Sequence, residues 1–260
     1  MDARYDTLIT NHVFSPGADD RDRKDIRHDI HIISSLVGCG DMLVQIFEVQ
    51  TQEEAAALAR LGVDHIGVLV GDGAFPRELS TSQTNAIFAA VPAGHKRVAL
   101  SLSANLEEVA RVIEETRPDI VQVQAEIDSF PVAMTTVLKT RFPEIPIIRA
   151  VPVIGETSIE IAASYRGVAD FLLLDSYDLG KRQFGALGRT HDWRISRRIV
   201  DELGIPVILA GGLGPDNVAA AIAAVRPAGV DSKTRTDRPD GSGKDIAKVE
   251  AFVAAAKLTS

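Results

Sequence analysis

The chain has 260 residues, 45% of them hydrophobic, and about 200–250 residues is the usual length of one α/β barrel. Its net charge of −8, from 28 basic and 36 acidic residues, and the lack of a Lys/Arg-rich block argue against nucleic acid or an acidic membrane as a partner. The single cysteine excludes an intramolecular disulfide, no apolar run approaches the roughly 20 residues of a membrane span, and the first residues carry no apolar signal-peptide core, so we expect a cytoplasmic protein.

Residues 1–42 differ in pattern from the rest of the chain. A dense mixed-charge run over 19–25 precedes apolar residues at helical spacing, namely Ile26, Ile30, Ile33 and Val37. This pattern predicts an N-terminal extension, a charged loop followed by one amphipathic helix, which caps the main domain or joins an oligomer interface. His28 and His31 lie three residues apart without a cysteine or a settled carboxylate, so we interpret them as surface histidines and expect no metal or cofactor.

From residue 43 onward, eight apolar runs rich in β-branched residues alternate with helical stretches. The runs cover 43–47, 64–70, 96–102, 118–123, 145–151, 170–174, 205–210 and 228–231, and the helices include 53–60, 106–115 and 158–165. Thr51 with Glu54 three places on predicts a capped helix start. Eight alternating units favour a (β/α)8 TIM barrel over residues 43–260, with a doubly wound open sheet as the alternative. In a barrel, functional groups lie at the carboxyl ends of the strands.

The seventh run leads directly into a glycine-rich turn. Val207, Ile208 and Leu209 precede Gly211-Gly212, then Gly-Pro-Asp-Asn and an Ala-rich helical stretch. Glycines let backbone N–H groups approach an anion closely, and the positive end of the following helix adds a favourable field. The pattern therefore predicts a phosphate cradle, although a glycine pair after a strand is also an ordinary turn.

The sixth run ends in a carboxylate. Asp175 follows four apolar residues, and the chain then enters a glycine-bearing loop, 185–193, that leads into a helix. We interpret Asp175 as a candidate site residue, with a helix-capping or loop-capping role as the structural alternative.

Together these stretches resemble the phosphoribosylanthranilate isomerase family of tryptophan biosynthesis. The resemblance covers about residues 43 to 257 and is carried, in the family's order, by Phe75-Pro76-Arg77, Val121-Gln122-Val123, Leu172-Leu173-Leu174-Asp175-Ser176, Gly185-x-x-Gly188-x-Thr190-x-Asp192-Trp193, Leu209-Ala210-Gly211-Gly212-Leu213-x-Pro215-x-Asn217-Val218, Gly229-Val230-Asp231 and Gly243-Lys244-Asp245. It implies a (β/α)8 barrel that binds a phosphorylated sugar at the loops after its seventh and eighth strands.

The resemblance also implies a reaction, in which an aminoaldose ring is opened and shifted to an aminoketose by one acid and one base. The family's general acid matches Asp175. Its general base is the cysteine of a Lys-Ile-Cys-Gly motif, where this chain reads Gln45-Ile46-Phe47-Glu48. Phenylalanine cannot accept a proton, and Cys39 lies several residues upstream, so the neighbouring Glu48 is the candidate second catalytic group.

The remaining candidate residues are substrate contacts. The arginine that contacts the anthranilate carboxylate in the family matches Arg77. The structural alternative is that Arg77 is an exposed loop charge or pairs with Asp72. Two family motifs are altered: His-Gly after the fourth strand reads Gln124-Ala125, and Ser-Ser-Gly after the eighth reads 233–235. The candidate substrate-binding residues are Arg77, Gln122, Gly188, Gly211, Gly212, Lys233, Thr234 and Arg235, with buried hydrogen bonding (Gln122) and exposed loop charge (Lys233, Arg235) as alternatives.

These observations lead to one functional hypothesis and two alternatives. We expect an isomerase or epimerase that acts on a phosphorylated sugar or related phosphate ester by proton transfer, and that is not efficient in the tryptophan-pathway reaction itself. The alternative from another class is an inactive barrel that serves as a ligand-binding or interaction protein. A Schiff-base lyase at Lys233 is the weaker third hypothesis. Whether the chain forms a homo-oligomer stays open.

Overall fold

The computed structural model describes residues 42–259, so the loop and helix predicted for the N-terminal extension lie outside the described residues. Within them, one helix separates each pair of consecutive barrel strands. The strands are β1 (Leu43–Ile46), β2 (His65–Leu69), β3 (Lys96–Ser101), β4 (Ile120–Val123), β5 (Ile147–Val153), β6 (Phe171–Asp178), β7 (Gln183–Phe184), β8 (Val207–Leu209) and β9 (Gly229–Ser232). The helices are α1 (Gln52–Arg60), α2 (Thr81–Ala89), α3 (Leu106–Thr116), α4 (Val132–Arg141), α5 (Thr157–Ser164), α6 (Trp193–Leu203), α7 (Val218–Val225) and α8 (Ile246–Lys257).

Eight of these strands are parallel and close on themselves. β1 pairs with β2 on one side and with β9 on the other, and every neighbouring pair from β1 through β6 to β8 and β9 is parallel. The predicted (β/α)8 barrel is therefore confirmed, and the open-sheet alternative is wrong. β8 and β9 are the seventh and eighth barrel strands, because β7 is not part of the barrel.

The sixth strand is longer than its apolar run. β6 continues past Leu174 to Asp178 and turns back through an antiparallel pairing with β7, where the Tyr177 and Phe184 rings lie 6.1 Å apart. The sequence pattern placed a loop here, because apolar patterning stops at Leu174. The hairpin carries the glycine-bearing loop across the carboxyl end of the barrel.

Alternation along the strands separates two layers. In β1, Val44 and Ile46 belong to the aliphatic core between sheet and helices, and Gln45 points into the barrel, where register places it opposite His65 and Asp231. The interior thus carries polar side chains where most barrels carry branched aliphatic ones. None of the helices in the described part of the chain is long and apolar enough to cross a membrane.

One predicted helix cap forms as expected. Thr51 accepts a hydrogen bond from the Glu54 N–H at 3.1 Å at the start of α1. The Glu54 carboxylate, however, accepts from the N–H groups of Gln50 and Lys244, so it ties the start of α1 to the segment before α8.

Candidate active site

A narrow cavity of about 30 Å³ opens at the carboxyl end of the barrel. Its walls are β6, β9, the loop after β7 and the glycine turn after β8. Seven predicted site residues line it, namely Asp175, Gly188, Gly211, Gly212, Lys233, Thr234 and Arg235, together with Asp231. The fold therefore brings the predicted acid and the predicted phosphate cradle to one place.

The glycine turn shapes one wall of this cavity. Gly212 has a φ of +61°, and a Cβ on it would lie 2.5 Å from the backbone carbon of Arg189. Asn217 holds the turn, because its side chain accepts from the Gly214 N–H at 2.8 Å and donates to the Gly212 carbonyl at 3.0 Å. The lining ends at Leu213, before α7 begins, so the first turn of α7 does not face the cavity.

The segment after β9 supplies the opposite wall. The Thr234 methyl lies 3.3 Å from where a Cβ on Gly188 would be. Arg235 Nη2 donates to both carboxylate oxygens of Asp216, at 2.7 and 2.8 Å, and its Nη1 reaches the Gly212 carbonyl at 3.5 Å. A guanidinium thus lies beside the glycine turn, where the family motif has a glycine.

Asp175 is buried at the mouth of the barrel, with 7% of its surface exposed. Its Oδ1 accepts from the Ser176 N–H at 2.7 Å and from the Ser176 hydroxyl at 3.3 Å, and its Oδ2 accepts from Gln124 at 3.4 Å. Burial raises the pKa of Asp175 to about 6, although these hydrogen bonds oppose the shift. A carboxyl group in this range can carry a proton near neutral pH, as a general acid must.

A second carboxylate, Asp231, lines the same cavity and is 8% exposed. Burial, and then the charge of Asp175, raise the pKa of Asp231 to about 8, against the hydrogen bond from Gln45. Asp231 belongs to the Gly229-Val230-Asp231 motif but was not among the site residues predicted from the sequence. The sequence does contain a pattern that indicates it. Successive residues of a strand point to opposite faces, so if Val230 packs outward against the helices, Asp231 points into the barrel.

Three glutamines connect the two carboxylates inside the barrel. Gln45 donates to Asp231 at 3.3 Å and to the Gln122 oxygen at 3.1 Å. Gln122 donates to Gln124 at 2.9 Å, and Gln124 donates to Asp175. We refer to Gln45, Gln122 and Gln124 as the amide chain. Gln122 is buried, and both the oxygen and the nitrogen of its amide are hydrogen-bonded within the protein. It was predicted to contact the substrate, but it does not line the cavity.

His65 forms a hydrogen bond with Gln45 of the amide chain. Its Nδ1 lies 3.0 Å from the Gln45 oxygen, which can only accept, so Nδ1 carries the proton. Burial lowers the pKa of His65 to about 3, and the ring is neutral. Its Nε2 has no hydrogen-bond partner among the described residues.

Phe47 directly follows β1, at the position where the resemblance implies a basic cysteine. It is 3% exposed, and its ring lies against Gly67 of β2, where a Cβ would come within 2.3 Å of the ring carbons. Gly67 therefore makes the space that the ring fills. The position carries no group that can take a proton.

Glu48 and Arg77 do not line the cavity, but they lie in a charged cluster at its edge that includes the lining residue Lys233. This rim cluster consists of Glu48, Arg77, Lys233, Asp237 and Lys244. Glu48 Oε2 lies 3.2 Å from Arg77 Nε and 3.3 Å from Lys233 Nζ. Arg77 also binds Asp237 at 2.9 Å and the Glu48 carbonyl at 2.7 Å, so its guanidinium is engaged within the protein.

Two residues of the rim cluster have left-handed backbone, with φ values of +59° at Glu48 and +65° at Arg77. The resemblance implies a glycine at the position of Glu48, and left-handed backbone is the conformation that glycine adopts without strain. Left-handed backbone costs about 1–2 kcal/mol for a residue with a Cβ. The ion pairs of Glu48 hold that conformation in place.

Lys244 anchors the same cluster from the core. It is fully buried and its ammonium binds Asp237 at 2.7 Å and the Lys233 carbonyl at 3.1 Å. Burial lowers the pKa of Lys244, and Asp237 opposes that shift. Among residues 42–259, no group of three or more His, Cys, Asp or Glu side chains is arranged to hold a metal ion.

Known proteins resemble this chain along the whole barrel. Residues 44–255 match the family model of N-(5′-phosphoribosyl)anthranilate (PRA) isomerase. An N-(5′-phosphoribosyl)anthranilate isomerase of Methanocella arvoryzae is 35% identical over 216 residues, which cover 83% of this chain and 98% of the relative.

Two solved structures share the fold over nearly their full length. A phosphoribosyl anthranilate isomerase in complex with reduced 1-(o-carboxyphenylamino)-1-deoxyribulose 5-phosphate matches with a TM-score of 0.70 and 26% identity, covering 84% of this chain and 99% of that one. The dimeric phosphoribosylanthranilate isomerase of Thermotoga maritima, solved as monomers, matches with a TM-score of 0.69 and 25% identity over the same shares of the two chains.

Proposed function

Because this chain belongs to the N-(5′-phosphoribosyl)anthranilate isomerase family, we propose that it converts a phosphorylated aminoaldose to the aminoketose by acid–base proton transfer. The observation that carries the proposal is the shared cavity: the buried carboxyl of Asp175 faces the same space as the glycine turn and Arg235. An acid beside an anion cradle fits a substrate that has a reacting sugar ring at one end and a phosphate at the other.

The first substrate to test is N-(5′-phosphoribosyl)anthranilate. The liganded relative binds a phosphorylated carboxyphenylamino sugar, and its chain is matched over 99% of its length. The phosphate is expected at Gly211, Gly212 and Thr234, with Arg235 as the cation beside them. A carboxylate on the substrate that reaches Arg77 must share it with Glu48 and Asp237, which weakens anion binding there.

Substrate entry requires the cavity to widen. A volume of 30 Å³ holds about two water molecules, which is less than a phosphorylated sugar needs. The loop that includes Ala186, Leu187 and Gly188 is the covering wall, and Arg189 rests on Gly212. We expect this loop to move outward when the ligand enters.

In the reaction, protonated Asp175 donates its proton to the ring oxygen. The bond between that oxygen and the anomeric carbon breaks as the nitrogen lone pair forms a C=N bond. A base then takes the proton from the adjacent carbon, whose electrons shift toward the nitrogen, and the resulting enol tautomerises to the ketone. No atom is gained or lost, so the step is an isomerisation.

The test is thermal unfolding of the full chain with sugar phosphates, with inorganic phosphate and anthranilate as controls, followed by a turnover assay with the compounds that bind. A ligand at about 100 times its Kd stabilises the folded state by roughly 2.7 kcal/mol. Stabilisation by the phosphoribosylated compound beyond phosphate, together with turnover, supports the proposal. Binding without turnover would favour an inactive binding protein. If no sugar phosphate raises the thermal midpoint, the proposal that the glycine turn binds phosphate is wrong.

A homodimer is the assembly we propose to test, because the Thermotoga maritima relative is dimeric. Sedimentation equilibrium of the full chain measures it directly. A mass near the 27.9 kDa of one chain at all concentrations would contradict the dimer.

A further inference from the structure

We propose that Asp231 is the second proton-transferring group of this site and takes the place of the base that Phe47 cannot supply. The inference rests on the proposed isomerase function, and it names a residue that the family's cysteine-based motif does not indicate. Asp231 lines the cavity from β9, and Asp175 lines it from β6.

The amide chain positions the two carboxylates as a pair. A carboxyl group accepts a hydrogen bond whether it is ionised or protonated on its other oxygen, and the NH2 group of Gln45 donates to Asp231 as that of Gln124 donates to Asp175. This fixes the direction of every amide between them and leaves the Gln45 oxygen to accept from His65. A buried network in which each of the three amides is hydrogen-bonded at both ends holds its end groups in defined places.

Two features of the first strand make Asp231 available for proton transfer. The Lys-Ile-Cys-Gly motif has a lysine where this chain has Gln45, and an amide leaves the Asp231 carboxylate without a cation at that contact. None of the ion pairs among residues 42–259 involves Asp231. The same strand has Phe47 where the motif has its cysteine, so the strand offers neither that base nor a cation beside Asp231. The charge of Lys244 lowers the pKa of Asp231 and that of Glu48 raises it, but neither residue forms an ion pair with Asp231 among residues 42–259.

Glu48 is the competing candidate, and its surroundings differ. Its Oε2 lies between Arg77 and Lys233 in the rim cluster, and the residue does not line the cavity. Asp231 shares its cavity with the predicted acid and the glycine turn. Geometry therefore favours Asp231 as the second group.

The two carboxylates hold one proton between them near neutral pH. Burial raises both pKa values, to about 6 at Asp175 and about 8 at Asp231, and the charge of Asp175 contributes to the higher one. At pH 7 that proton is mainly on Asp231, whose pKa is the higher, and the reacting form is the one in which the proton has moved to Asp175. Asp175 then gives the proton to the ring oxygen as the C–O bond breaks. The Asp231 carboxylate then takes the proton from the carbon next to the anomeric centre, and that C–H electron pair forms the carbon–carbon double bond of the enol.

The test compares four proteins as full chains with N-(5′-phosphoribosyl)anthranilate as substrate: wild type, Asp231→Asn, Asp231→Glu and Asp119→Asn. Asn keeps the size of Asp231 but cannot take a proton. Asp119 pairs with Arg97 just before β4, at the amino end of the barrel, and Asp119→Asn is the matched control. Thermal midpoints are recorded for all four, so that a folding defect is not read as lost catalysis.

We expect Asp231→Asn to lower kcat at least 100-fold with KM within threefold, Asp231→Glu to recover part of that loss, and Asp119→Asn to match the wild type. The pH dependence of kcat/KM should change from a bell to a curve with one limb in Asp231→Asn. A folded Asp231→Asn protein with kcat within tenfold of wild type would overturn the role of Asp231 while leaving the isomerase function standing. A wild type without turnover would overturn both.

Discussion

Replacing Asp231 with Asn should stabilise the protein at alkaline pH, even though it removes activity. In the folded state Asp231 keeps its proton up to a pKa of about 8, whereas in the unfolded chain it loses the proton near its usual value of 3.8. Between these values the folded state binds more protons than the unfolded state, so stability falls as pH rises. Below pH 3.8 Asp231 is protonated in both the folded and the unfolded state, so its titration does not change the free energy of unfolding.

The size of the effect follows from linkage. Each pH unit in this window costs about 1.36 kcal/mol, so the three units from pH 5 to pH 8 cost about 4 kcal/mol. Asn does not titrate and avoids this loss. The free energy of unfolding of Asp231→Asn minus that of wild type should therefore rise by about 4 kcal/mol from pH 5 to pH 8.

Urea unfolding at pH 5, 6, 7 and 8 measures this difference. Burial lowers the pKa values of His65 and His191, to about 3 and about 4, so both add a stability that rises with pH below 6.5. They do so in both proteins and cancel in the comparison.

Asp119→Asn is again the control for these measurements. Burial alone would raise the pKa of Asp119, but hydrogen bonds from Arg97 hold it below its usual value, so this carboxylate is ionised throughout. The control should shift the wild-type curve by a constant amount. Parallel curves for wild type and Asp231→Asn would refute the reasoning, because Asp231 would then be ionised in both states at every pH.

Four further outcomes follow from the site. Asp175→Asn should lower kcat about 10²–10⁴-fold with a thermal midpoint at pH 7 no lower than that of wild type, because it removes a buried carboxyl whose pKa is raised to about 6, and retained activity would contradict its role as the acid. Gly212→Ala should raise KM for the sugar phosphate more than tenfold, because the added Cβ would lie 2.5 Å from the Arg189 backbone. Gly62→Ala is the control: Gly62 also has a positive φ, +83°, but no atom lies within 4 Å of its added Cβ, so this variant should lose stability and keep the wild-type KM. Glu48→Gln should lower kcat/KM less than tenfold and through KM, because it loosens the rim cluster; a kcat loss as large as that of Asp231→Asn would make Glu48 the base. In wild type, kcat/KM should peak near pH 7 and fall below about pH 6 and above about pH 8, and a profile flat across this range would argue against the carboxylate pair.

The barrel and half of the site were readable from the sequence because their signals are local. Apolar runs alternating with helical stretches predicted every barrel strand to within a few residues. Gly211-Gly212 predicted a turn, and both residues have positive φ values and neighbours too close for a Cβ. Asp175 was found because a carboxylate that follows four apolar residues stands out. The β7 hairpin was missed, since two-residue pairings leave no pattern.

The rest of the site depends on contacts between distant parts of the chain. Gln45 and Gln122 are 77 residues apart, and no spacing rule indicates that their amides meet inside the barrel. Arg77 was predicted as an anion contact, with a loop charge or a pairing with Asp72 as the alternative, and its partner in the structure, Asp237, lies 160 residues away. Glu48 drew attention by standing next to the lost cysteine, whereas burial, which the linear sequence does not display, distinguishes Asp231.

The most direct measurement is turnover of N-(5′-phosphoribosyl)anthranilate by the purified full chain at pH 7, with the product 1-(o-carboxyphenylamino)-1-deoxyribulose 5-phosphate separated by chromatography and identified by mass spectrometry. We expect the wild type to form this product and Asp175→Asn to form none. A folded wild-type protein that binds the substrate but forms no product would contradict the proposed isomerase function and would indicate a binding protein with an isomerase fold.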